Sequence, residues 1–192
     1  MYTVVDVTRS RSQEADVSYQ VEVVADSVAE AVRCAGGLMF DRRRMGWRVS
    51  VVTNDTAHRR ALTILGARPE MPGEGDEALA GQDRIVRCRV LPLDLCTTDP
   101  SIALKRGFLQ GYSELLLWHR DVDSELAGPL HPVRHELSAA ARTFKAQALR
   151  SIGADVRVDP AEQFWVADGL GSTSSHLGLR RSPSVVGGLP YG

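Results

Sequence analysis

At 192 residues, with 43% apolar and 24% charged side chains and a net charge of −1, the chain has the make-up of one globular domain able to bury a core without disulfides or metal. The charge balance excludes a global attraction to nucleic acid, and the longest apolar runs, such as 115–118, are far too short to cross a bilayer. Twenty-one Arg against two Lys, Lys105 and Lys145, read as the codon bias of a GC-rich bacterial genome. Cys34, Cys88 and Cys96 form no pairing pattern and no apolar leader precedes the fold, which predicts a reducing cytoplasm.

Residues 2–7 have strand composition, and Val17, Tyr19, Val21 and Val23 alternate as a second strand, with polar residues 9–16 between them as a hairpin loop. Ser27 is the expected N-cap of the next helix, with Glu30 as the other half of a capping box. Val28, Ala31, Val32, Ala35, Leu38 and Met39 recur at helical spacing, so this helix runs to about Gly46. Two glycines inside it, Gly36 and Gly37, each cost about 1 kcal/mol against alanine. Close packing of the helix is the expected compensation, and a local break is the second choice.

Trp47, Val49 and Val51 alternate with Arg48 and Ser50 as a strand closed by Thr53, Asn54 and Asp55. A short helix follows over 57–65, stopped by Gly66. Residues 69–83 carry Glu70, Glu74, Asp76, Glu77 and Asp83 among Pro and Gly, the composition of an acidic mobile loop. Residues 84–95 return to strand character, with Val86, Cys88 and Val90 on one face. Asp99 and Pro100 then open a helix to about Gln110, and 113–119 is a strand covered on both faces.

A long helix is predicted over 131–153, with Val133, Leu137, Ala140, Ala141, Phe144, Ala148 and Ile152 buried and Arg134, Ser138, Arg142, Lys145 and Arg150 facing water. A short strand at 154–158 and a helical turn at 161–166 follow, and 168–192 reads as a disordered Gly/Ser/Pro-rich tail. The sum is an α/β fold: a single layered domain over 1–167 with a mostly parallel central sheet of about 4–6 strands flanked by helices. An antiparallel N-terminal edge is added if the first two strands pair as a hairpin.

In such sheets ligands bind beyond the carboxyl ends of the strands, where strand order reverses. That rim holds Asp26, Ser27, Asp55, Asp94, Cys96, His119, Asp121 and Asp123. His119, Asp121 and Asp55 are the acid–base candidates, and Asp94 and Asp123 the carboxylates that would hold Mg²⁺. Turn and cap duty explains the same residue types at less cost. His131 and His135, four apart on the predicted helix, are a zinc candidate that lacks the acidic neighbour of a metalloprotease motif.

Cys96, just ahead of a helix start, is the nucleophile candidate, opposed by Asp94 and Asp99 nearby. Ser182 and Ser184, beside Arg180 and Arg181, form a phosphorylation candidate. No phosphate-cradling loop occurs, and no cofactor is predicted. The arginines between 42 and 60 make one segment locally positive without aromatic platforms, so a nucleic-acid-associated protein using this segment is a further alternative.

These observations favour a non-enzymatic, cytoplasmic bacterial regulatory or binding module that acts through protein contacts or a small ligand, as a homodimer in one form of the idea. The rival is a small hydrolase or transferase with an acidic and histidine site on the rim.

Overall fold

The structure, a computed structural model, describes residues 17–72, 85–96, 112–118, 130–167 and 179–181. Their elements are β1 (Ser18–Val24), α1 (Val28–Arg44), β2 (Arg48–Val52), α2 (Arg59–Leu65), β3 (Arg68–Glu70), β4 (Ile85–Pro92), β5 (Glu114–Trp118), β6 (Leu130–Glu136), α3 (Ala139–Ser151), β7 (Ala161–Ala167) and β8 (Arg180–Arg181). The strands form one sheet of order β3-β2-β1-β4-β5-β7-β6-β8. Its first five strands are parallel, whereas β7 runs antiparallel to both β5 and β6, and β8 antiparallel to β6. Among the described residues no helix is long and apolar enough to cross a membrane.

Alternation explains the core. Val21 and Val23, Val49 and Val51, and Cys88 and Val90 are in register on one face, which is covered by Ala31, Val32, Ala35 and Leu38 of α1, Leu62 and Leu65 of α2 and Ala148 and Leu149 of α3. Each fully buried Val or Leu there contributes roughly 1.5–3 kcal/mol. The opposite face carries a smaller cluster of Leu91, Leu93, Leu115, Leu117 and Leu130.

Several expectations are corrected. β1 lies in the sheet centre with parallel partners on both sides, so it has no free edge for an N-terminal hairpin; the antiparallel edge is instead at β7, β6 and β8. The predicted helix over 131–153 is a strand, β6, followed by a shorter helix, α3, with Ser138 as its N-cap accepting a hydrogen bond from Ala141 N. Residues 161–166 are strand rather than helical turn, and 154–158 are not strand. Within the expected tail, Arg180 and Arg181 pair with Arg134 and Val133. Gly66 ends α2 in the left-handed conformation (φ 72°), as its position after the apolar stripe implies. The strand at 2–7 and the helix at 99–110 lie outside the described residues, as does most of the 69–83 loop.

Candidate functional site

At the carboxyl ends of β1 and β2 the polar groups stitch two turns together. Ser27 Oγ accepts from Glu30 N at 3.2 Å, while Glu30 Oε2 accepts from Asp26 N at 3.3 Å, so the reciprocal half of the capping box falls one residue earlier than expected. Thr53 Oγ1 donates to Asp26 O and accepts from Asp55 N. Asp55 accepts from Val28 N through Oδ2 at 2.9 Å and from Ala57 N through Oδ1 at 2.8 Å. Both backbone donors favour the ionised form and hold the Asp55 carboxyl below its ordinary range. Asp55 therefore serves the start of α1 as a charged cap across 27 residues of sequence, each of its oxygens accepting one backbone N–H.

Of the other rim candidates, Asp94 is exposed in the turn after β4, and Cys96 ends that turn. His119, Asp121, Asp123, Ser182 and Ser184 lie outside the described residues. His131 and His135 are on strand β6, not on a helix, which sets them about 13 Å apart along the strand and removes the shared zinc site. Among the described residues no group of three or more His, Cys, Asp or Glu is placed to hold a metal ion. Of the arginines between 42 and 60, Arg42 turns inward, 1% exposed, with its guanidinium 5.2 Å from the Trp47 ring centroid.

His135 is instead half of a buried cluster with Asp41 of α1 and Ser138. His135 Nε2 lies 3.1 Å from Asp41 Oδ2, and Ser138 Oγ donates to Asp41 Oδ1 at 2.6 Å. The residue types are those of a nucleophilic triad, but the order is wrong, because the serine bonds the aspartate and not the imidazole. Burial would raise the Asp41 carboxyl, yet the bonds from His135 and Ser138 outweigh it and lower it. The cluster pins the start of α3 to α1.

A cavity of about 400 Å³ opens between α1, α3 and the start of β7, lined in part by Arg33, Cys34, Trp118, Lys145, Arg157 and Glu162. Lys145 Nζ donates to Glu162 Oε1 at 2.6 Å and to the Arg33 carbonyl at 2.7 Å. Glu162 in turn accepts from Gly37 N and Leu38 N at 2.7 and 2.8 Å, so two donors from the middle of α1 serve a carboxylate outside the helix. Lys145 was expected to face water, and it is buried. Its place off the predicted apolar stripe gave no signal of burial, which falls largely on its four-carbon stem. Here that stem passes over Gly36, whose added Cβ would meet Lys145 Cγ at 3.3 Å. Burial, helped by the Glu30 charge, pushes the Cys34 thiol up to about 11, so it is no nucleophile.

The parallel order β3-β2-β1-β4-β5, closed by antiparallel β7 and β6, decides what this scaffold resembles. The fold is shared with a deacetylase. The crystal structure of the A40926 pseudoaglycone deacetylase Dbv21 matches with a TM-score of 0.55 and 16% identity, over 82% of this chain and all of that one. No family model matches the sequence, and no curated protein matches it. At that identity the likeness carries architecture and leaves the chemistry to the residues present.

Proposed function

We propose that this chain is a non-enzymatic binding module built on a deacetylase-like sheet, acting through a small ligand or a protein contact. The observation that carries the reading is the commitment of Asp55: both of its oxygens accept backbone N–H groups at the starts of the turns they cap. The two backbone donors hold its carboxyl below the ordinary range, which makes it a weaker acceptor for a substrate proton, and they fix its side chain to the two turns. The Glu30 carboxylate, a buried acid at this end of β1, also accepts a backbone donor, Asp26 N.

The second reading is a hydrolase, favoured by the fold shared with a deacetylase and by the sequence position of His119 and Asp121 just beyond β5. One pair of measurements separates the two. Native mass spectrometry of the full chain is expected to show a retained small molecule or second protein chain. Acetate release from the A40926 pseudoaglycone, with and without added Zn²⁺, is expected to stay at the level of the buffer. Release that rises with enzyme concentration and is lost in His119→Ala or Asp121→Asn would replace the binding reading with the hydrolytic one.

A further inference from the structure

We infer that the cavity between α1, α3 and the start of β7 binds a small organic anion, with its negative group at Arg33 and Arg157 and its apolar body against Trp118. This deepens the reading of the chain as a binding module and rests on it. The volume, about 400 Å³, falls within the range of small-molecule clefts, roughly 300–1,000 Å³.

Three observations fix the ligand class. Trp118 sits at the carboxyl end of β5 and is 2% exposed, yet its indole Nε1–H has no acceptor among the described residues. That nitrogen is closed off from solvent, so what Trp118 offers a ligand is ring surface rather than a donor. Second, the inner ammonium, Lys145, is already matched by Glu162, so the positive charges left for a ligand among the lining residues are those of the exposed Arg33 and Arg157, with Asp159 on the lining and the Glu30 charge near Cys34. The protonated Cys34 thiol adds no negative charge to compete. Third, Leu149, Val156 and Val158 join the Trp118 ring as an apolar wall, which suits a hydrocarbon or aromatic body and gives a bare inorganic anion nothing to cover. Arginine forks prefer carboxylate or phosphate oxygens, so the head group is one of these.

The test uses 4-phenylbutyrate as the probe and ¹⁵N-labelled full-length protein, whose three tryptophans give separate indole N–H signals. Trp118→Phe identifies its own signal by removal. Saturable movement of the Trp118 signal is expected with the acid. The neutral 4-phenylbutanamide, and the acid added to an Arg33→Ser/Arg157→Ser variant, should each bind at least about tenfold more weakly, because each lacks the charge-assisted bonds. Both arginines are exposed, so the variant's urea midpoint should match that of the parent. A Trp118 signal that stays still at millimolar acid, an amide that binds as well as the acid, or an unaffected double variant would each overturn the proposal. Acetate release is a separate readout, so the ligand class and the absence of hydrolysis fail independently.

Discussion

Lys145 and Glu162 show how a single ion pair ties three elements together. The two charges are buried, and each has further partners: the Arg33 carbonyl for the ammonium, and Gly37 N and Leu38 N for the carboxylate. Desolvation makes such a pair a weak source of net stability, but removing one partner leaves a buried charge alone. Lys145→Met and Glu162→Gln should therefore each lower unfolding free energy by roughly 3–5 kcal/mol. The double variant should lose clearly less than the sum in urea titrations, and strict additivity would mean that the two groups do not act as a pair. Glu114, at the start of β5, behaves in the opposite way. Burial lifts its carboxyl to about 7, only partly offset by the Arg42 guanidinium. The folded chain then holds a proton that the unfolded chain releases once pH passes its ordinary 4.5, so stability falls as pH rises from there to about 7 and levels off above. Glu114→Gln should abolish that decline, on the order of 2–3 kcal/mol between pH 5 and pH 8. A parent protein equally stable at both pH values would remove the basis for it.

At the scale of the element, α1 is where the sequence was most readable. Its N-cap, its capping glutamate and its apolar stripe stood in the residues, and the structure places Val28, Ala31, Val32, Ala35, Leu38 and Met39 in the core. The glycine pair needed the third dimension. A Cβ on Gly37 would lie 2.4 Å from Leu137, whereas one on Gly36 would meet only the flexible stem of Lys145 at 3.3 Å. Gly37→Ala should thus cost about 1–3 kcal/mol through overpacking, and Gly36→Ala should come out near neutral because it gains about 1 kcal/mol of helix propensity. Leu137→Ala placed on Gly37→Ala should recover part of the loss; no recovery in thermal unfolding would mean that close approach is not the reason for glycine there. The segment 130–138 misled for a definable reason. Val133, Leu137 and Ala141 sit at helical spacing, while Val133, His135 and Leu137 also alternate, and Pro132 suits a helix start as well as a strand that has β8 beside it at only two residues. Ser138 before three alanines was the true helix start.

For the whole molecule, the alternation of strand and helix predicted a layered parallel sheet, and that expectation holds through β5. Strand order did not follow from it, because the insertion of β7 between β5 and β6 depends on pairing between residues such as Leu117 and Trp165, far apart in sequence. The candidate site was half readable for the same kind of reason. Asp55 could be placed at a strand end by pattern, but the partner that consumes its Oδ2, Val28 N, becomes a neighbour only after β1 and β2 pair. The late insertion of β7 predicts that the fold behaves as one cooperative unit. It joins β5 to β6, and α3 buries Ala141, Ala148 and Leu149 on the same face that α1 and α2 cover. A chain ending at Glu136 keeps β1–β5 but loses the strand that holds β6 and the helix that shields α1, exposing Leu38, Val133 and their neighbours to water. It should show no cooperative thermal transition and no protected core amides in hydrogen exchange, while the full chain unfolds in one step. A sharp transition in the shortened chain would mean that β1–β5 with α1 and α2 is a folding unit by itself and that the C-terminal third is an attachment to it.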